Sequence, residues 1–498
     1  MMRAWVARVE VWAPLLTAAL FMGLSLAGGA VYRAPFDDEV FTLNVIVAQK
    51  SLMGVFWFFS GGGDVHPPLP TMLHWLLWHG LGLREVGLRW VSLGVSAFAL
   101  VLAHRLVLKL GPQKLVVPVW VQVLVSVLLG TTPLFLGQGD AIRWYPLFGL
   151  VFMLALRAMV RGRRLELTPL AGWWLGVLFS VNFLGAVVGV ALVGMVAMRE
   201  ELRPTLRMLP WFVVLGAVGA ASGVLALWAN LMMAHHVDTQ FKAVGGLLSH
   251  LQPVLEIGLG ILGGYRVGIG FSWVLVPGVV ASGWAVWRLR QHALVWVLVA
   301  NVLVLLPIVV LGFNKPRALM DIALLLAMVN GLAVLSLVGR ERLLVVAALL
   351  VSQGGVVSVL HPAGEGLKRN LAIPYDDLVA EVRGVWADGV PTAVWTTDYV
   401  LVWELTKPGA VVPAGSCVSF YRENMECVTK SAKVRLVTVV GQGGPEVERQ
   451  AIMAATAGRE RLKAAVFGYD REAGLKTRLT GVALTPWILE MGVWKVRK

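Results

Sequence analysis

The feature that most constrains this chain is a succession of apolar runs, each close to the thickness of a bilayer's hydrocarbon core, separated by short clusters of Lys and Arg. A helix needs roughly twenty apolar residues to cross that core. Runs at 11–32, 87–108, 115–136, 142–160, 168–182, 183–198, 208–230, 271–289, 293–313, 318–337 and 342–360 are read as eleven spans. Charged residues make up 14% of the chain and apolar residues 58%. A soluble domain carries about a quarter charged residues. The fold class expected is therefore a polytopic α-helical membrane protein. The first run is too long, and too far from any small-residue cleavage site, to be a secretory signal, so it is expected to stay.

Basic residues set the orientation, because Lys and Arg collect in cytoplasmic loops. Arg3 and Arg8 precede the first span. Arg105, Lys109 and Lys114 follow the second, and Arg157 with Arg161, Arg163 and Arg164 follow the fourth. Arg199, Arg203 and Arg207, then Arg288 and Arg290, then Arg340 and Arg342 complete the series. With the N-terminus inside, all these clusters fall on one side. Residues 33–86 and 361–498 then lie outside. The net charge of +14 has its explanation here, and no basic run or recognition motif points to nucleic acid.

Two apolar stretches in the first outer loop are too short to span and are read as interfacial helices, Ser51–Phe59 and Pro67–Leu83. Making the second a span would invert every later loop. Two domains are expected: a membrane domain, 1–360, and an outer α/β domain, 361–498. In the latter, Asp376–Asp388 and Glu446–Lys463 read as helices, and Thr392–Thr396 and Val434–Val440 as strands. The chain's two cysteines, Cys417 and Cys427, both fall in this domain. Outside the cytoplasm, two nearby cysteines are expected to pair.

Four segments share the outer face in this topology. Asp37, Asp38, Glu39, Asp64 and His66 belong to the first loop. Gln138 to Tyr145 brings Asp140, Arg143 and Tyr145. The loop near 231–270 brings His235, His236, Asp238, Lys242, Tyr265 and Arg266, and the fourth segment brings Lys315 and Arg317. Ionisable groups are costly near lipid, so such a gathering is a functional hypothesis by default. Carboxylates beside cations suit a phosphorylated substrate plus an acid or base. Arg offers planar bidentate contacts to phosphate and Lys a point charge. Other roles stay open: Asp37 or Asp38 as a helix cap, and Arg143, Tyr145, Lys315 and Arg317 as interfacial anchors. The spacing of Asp38, Asp64 and His66 does not single out a metal.

Asp38-Glu39 followed by Asp64-Val65-His66-Pro67-Pro68-Leu69 resembles the GT-C superfamily of glycosyltransferases that use polyprenyl-phosphate sugars. Protein O-mannosyltransferases carry such an acidic pair and proline segment, and aminoarabinose transferases a related one. Arg84 to Arg89 resembles the stretch before their second span, and Arg143-Trp144-Tyr145 resembles their motif at the fourth. Lys315-Pro316-Arg317-Ala318-Leu319 resembles their late motif, with Ala318 where Tyr is usual. The resemblance covers about residues 30–340. With the eleven spans read above, it implies a GT-C-like bundle with an outer α/β domain, and the chain's length and single compact outer domain point to a bacterial cytoplasmic membrane. It also implies transfer of one sugar, with inversion, from a polyprenyl-phosphate carrier to a protein, glycolipid or polysaccharide. Asp38, or its neighbour Asp37, would be the base; Glu39, Asp64, His66, Arg143, Tyr145, Lys315 and Arg317 would bind substrates. No metal is assigned. Two rivals from other classes remain, a transporter of lipid-linked sugar and a non-catalytic assembly protein. Transporters show related halves, and none is evident here.

Overall fold

The computed structural model describes residues 2–27, 37–60, 66–112, 117–161, 164–198, 202–232, 261, 275–310, 319–360, 375–396, 398–420, 427, 434–441, 450, 456, 459–468 and 488–496. Asp64, Lys315, Arg317 and the five residues His235, His236, Asp238, Lys242 and Arg266 lie outside them, as does Tyr265. The chain divides into two compact units, Met1–Val31 with Val45–His361, and Tyr32–Asn44 with Pro362–Lys498.

The first unit is helical. Its elements are α1 (Met2–Ala27), the end of α2 (Asp37–Ala48), α3 (Leu52–Phe58), α4 (Leu69–Gly80), α5 (Glu85–Leu110), α6 (Val119–Gly130), α7 (Pro133–Gln138) and α8 (Tyr145–Met159). A hairpin follows, β1 (Val160–Arg161) and β2 (Arg164–Leu165). Then come α9 (Pro169–Val181), α10 (Leu184–Ala197), α11 (Leu202–Met232), α12 (Val276–Arg288), α13 (Ala293–Val310), α14 (Met320–Ser336) and α15 (Gly339–Leu360). Among the described residues, α5 and residues 207–228 of α11 are by themselves long and apolar enough to cross a membrane. Helices α12 and α13 meet at a 120° bend. The apolar runs at 115–136, 142–160, 168–182, 183–198 and 318–337 hold shorter apolar helices. The run at 115–136 is broken, because Thr131 and Thr132 end α6 and Pro133 opens α7.

Helix α14 is central: every residue from Met320 to Leu335 except Leu326 is buried. It packs against α5, α6 and α8. A helix that is apolar all round is a core helix. Helices α9 and α11 touch backbone to backbone. A Cβ on Gly176 would lie 2.1 Å from the Gly216 oxygen, and one on Gly172 would lie 2.2 Å from the Phe212 oxygen. Small residues permit this approach, the usual basis of helix association in lipid. The expected interfacial stretches fold as α3 and α4. Ser51 caps α3 through Gly54 N–H at 3.0 Å. Helix α4 is pinned by Trp75 Nε1 donating to Gln49 O at 2.8 Å, and by His79 Nε2 at 3.0 Å from Ile46 O.

The second unit contains the start of α2, then α16 (Tyr375–Trp386), β3 (Thr392–Thr396), α17 (Tyr399–Thr406), β4 (Cys417–Phe420), β5 (Arg435–Gly441), β6 (Arg459–Gly468) and β7 (Ile488–Val496). The sheet order is β4-β3-β5-β7-β6. β3 is parallel to β4 and β5, and β7 is antiparallel to β5 and β6. All five residues of β3 are buried. Asp398 links β3 to α17: its carboxylate caps Leu401 N–H at 2.9 Å and accepts from the Tyr375 hydroxyl at 2.8 Å. Cys417 and Cys427 are disulfide-bonded, with Cα atoms 5.7 Å apart. Cys427 packs with Ala393, Trp395 and Leu436 in the core.

One expectation is corrected here. The stretch Glu446–Lys463 was expected to be helical throughout, yet Arg459–Lys463 is the first half of strand β6. Arg, Glu, Leu and Lys favour helix locally. Pairing with β7 over the whole strand overrides that preference, and a bulge between Arg461 and Lys463 marks the compromise.

Candidate functional site

In the helical unit, candidate chemistry converges on the connection from α7 to α8. The segment Thr132–Pro146 is buried almost throughout, although it carries Gln138, Asp140, Arg143, Trp144 and Tyr145. Gly139 makes the tight turn possible: a Cβ there would fall 2.6 Å from both the Phe135 oxygen and the Phe21 ring. The Gly139 N–H donates to Phe135 O at 2.7 Å, and Ser96 Oγ donates to Gly139 O at 2.9 Å. The turn is thereby tied to both α7 and α5.

Arg89 of α5 reaches the same turn. Its Nη1 lies 3.8 Å from Asp140 Oδ2, and both side chains are 1% exposed. This is an ion pair in contact range but longer than a good hydrogen bond. A pair buried so completely survives only with further polar partners. Arg143 follows three residues after Asp140 and is also buried. The turn thus gathers two guanidinium groups, Arg89 and Arg143, about the Asp140 carboxylate. Arginine is the side chain that makes paired charge-assisted hydrogen bonds to phosphate oxygens.

Next to Arg143 an aromatic stack completes the group. The Trp144 ring lies 4.4 Å from Tyr145, 5.5 Å from Phe148 and 5.7 Å from the His66 ring, centroid to centroid. His66, Arg143 and Tyr145, picked out separately in the sequence, are therefore neighbours. Asp140 is noted in the sequence as part of its outer segment but given no role, and Arg89 is noted only within the Arg84–Arg89 stretch. The signal for Arg89 was present, as a charge two residues inside the run read as the second span. Asp321 is a second such case. It sits in the first turn of α14, 1% exposed, with no side-chain donor to its carboxylate among the described residues.

The first-loop carboxylates open α2, in the second unit. Asp38 is half-buried, whereas Glu39 is fully buried. Thr42 Oγ1 donates to the Asp38 carbonyl at 3.2 Å, fixing the first turn. Of these two, Asp38 alone keeps part of its side chain accessible. Among the described residues, no group of three His, Cys, Asp or Glu side chains is disposed to hold a metal ion.

No family model matches the chain, and no curated protein does. Solved structures do. The crystal structure of ArnT from Cupriavidus metallidurans bound to undecaprenyl phosphate superposes with a TM-score of 0.57 at 10% identity, covering 96% of this chain and 97% of that one. The apo structure of the same protein gives 0.56 at 12% identity, covering 99% and 98%. Over nearly its whole length this chain therefore has the fold of these ArnT structures.

Proposed function

We propose that the chain is an integral membrane glycosyltransferase that moves one sugar from a polyprenyl phosphate to an acceptor on the extracytoplasmic face. The observation that carries the reading is the fold, which follows nearly end to end a protein crystallised with undecaprenyl phosphate bound. In this reading the acceptor hydroxyl attacks the anomeric carbon from the face opposite the phosphate. The new C–O bond forms as the bond to the phosphate oxygen breaks, and the configuration inverts. The acceptor proton passes to the Asp38 carboxylate, a general-base role. The departing polyprenyl phosphate keeps the electron pair, and its charge is held by Arg143, Lys315 and Arg317. Tyr145, His66, Asp64 and Glu39 orient the substrates. The acceptor is a protein, glycolipid or polysaccharide.

Two features support the assignment. Asp38 is the partly accessible carboxylate of the described pair, as a base must be. The Asp140–Tyr145 segment places the buried Arg143 beside an aromatic stack that includes His66. The test is full-length protein in detergent with a panel of synthetic polyprenyl-phosphate sugars, followed for sugar transfer or donor hydrolysis. Turnover of at least one donor is the expected result. Folded protein that cleaves none of them, yet moves an intact donor across vesicles, would make it a transporter instead.

A further inference from the structure

We propose that the cavity enclosed by α12, α14, α15 and the break between α6 and α7 is a hydration site, which binds a small cluster of water inside the helical unit. Its walls include Thr132, Ser282, Leu326, Asn330, Leu349 and Ser352. Among its described lining residues none belongs to the Gln138–Tyr145 turn, so it is separate from the candidate substrate site.

Two helices end at this cavity. Helix α6 stops at Gly130 inside an apolar run, and the last carbonyls of a helix have no partner within it. Gln353 Nε2 donates to Leu128 O at 3.2 Å, and Thr132 Oγ1 to Leu129 O at 2.7 Å. At the start of α12, the Gly278 N–H donates to Ser352 Oγ at 2.7 Å. A Cβ on Gly278 would lie 2.7 Å from that oxygen, so glycine keeps the approach open. Interrupted backbone at membrane depth is tolerated where it is buried in protein or lines a water-filled cavity.

Asn330 gives the second observation. Its Nδ2 donates to Ser282 Oγ at 3.0 Å, and both residues are 6% exposed. Its Oδ1 is buried and has no hydrogen-bond donor among the described residues. Turning the amide over does not remove the mismatch, because one polar atom meets Ser282 and the other is left over. The Ser282 hydroxyl, while accepting, has its own proton to give. Water is the smallest molecule that donates to Oδ1 and accepts from a hydroxyl. The cavity has about 40 Å³ of room for water centres. Each water needs at least about 10–15 Å³ of such room, so about three fit. Cavities that stay empty are apolar, and a lipid chain in this one would leave Oδ1 unpaired.

The test is hydroxyl-radical footprinting of full-length protein in detergent, in which X-rays split water and the radicals mark side chains beside bound water. Leu349, buried in the cavity wall, is expected to be marked, while Leu325, equally buried in α14 but outside the wall, is not. Asn330→Leu with Ser282→Ala is expected to lower the Leu349 mark roughly fivefold, the change in occupancy that one hydrogen bond carries. The variant's melting midpoint checks that it folds, and Asn330→Leu alone carries the test if the double variant does not. A wild-type Leu349 marked no more than Leu325 overturns the proposal, because the cavity is then dry or filled by lipid. An undiminished mark in the folded variant also overturns it, because the water is then not held by this pair.

Discussion

Arg89 and Asp140 meet at 3.8 Å in a setting where each side chain is 1% exposed. The pair joins α5 to the turn that carries Arg143, so it acts as a fixed point for that turn. Removing one partner takes this counter-ion away from a buried charge. Such losses cost roughly 3–5 kcal/mol, while replacing both partners by apolar residues is often neutral. Arg89→Met alone and Asp140→Leu alone are each expected to lower the melting midpoint in detergent strongly, and the double variant to recover much of the loss. Additive losses in the double variant would show that the pair is not coupled.

The contact of α9 with α11 gives a second prediction. Ser180 Oγ donates to Gly219 O at 2.9 Å and accepts from Gly223 N–H at 3.1 Å. The hydroxyl thus stands between two groups that would pair across one turn of α11. The helices come this close because Gly172 and Gly176 leave no side chain between them. Gly176→Ala forces a methyl into the Gly216 carbonyl and is expected to cost roughly 1–3 kcal/mol. Gly189→Ala on α10, where nothing lies within 4 Å of the added carbon, is the control and is expected to be neutral or mildly stabilising. Equal thermal shifts for the two variants would contradict the close packing.

Much of this architecture could be read from the sequence because its signals are local. Apolar runs located most of the helices, with Thr168 and Pro169 together opening α9 and Ser51 capping α3, although the break at Pro133 lay hidden inside one apolar run. What escaped was non-local. Strand β6 reads as helix until β7 is there to pair with it. Arg89 meets Asp140 through the packing of α5 against α8, which no spacing rule reports. The grouping of Tyr32–Asn44 with Pro362–Lys498 joins segments more than three hundred residues apart. His66 could be suspected from its proline-rich neighbours, but its place beside Trp144 depends on how α4 docks.

Acid sensitivity is expected at the α16–β3 corner of the second unit. Arg435 Nη1 donates to Asp388 Oδ2 at 2.5 Å and Val390 N–H to Oδ1 at 3.1 Å. The Arg435 hydrogen bond first, and the Val390 N–H second, hold the Asp388 carboxyl below its ordinary value. Stability from a lowered carboxyl is complete above the unfolded pKa, about 3.9, and is lost as pH falls through the folded value. Asp388→Asn is therefore expected to be less stable than wild type at pH 7, with the difference closing below about pH 4. A difference that is constant with pH would mean that the carboxylate charge is not what matters there.

The decisive substitution is at Asp38. The change to Asn keeps the size and most of the hydrogen bonding but removes the capacity to accept a proton at neutral pH. Loss of a general base costs about 10²–10⁴-fold in rate. A purely structural role at the start of α2 predicts little change, because Asn caps a helix about as well as Asp. Asp37→Asn is expected to be milder. Single-turnover sugar transfer, measured beside the melting midpoint of each variant, separates these outcomes. A dead Asp37→Asn with an active Asp38→Asn moves the base by one residue. If both variants turn over at the wild-type rate, neither carboxylate takes the proton, and the acceptor must be one that attacks without a protein base, such as an anionic phosphate.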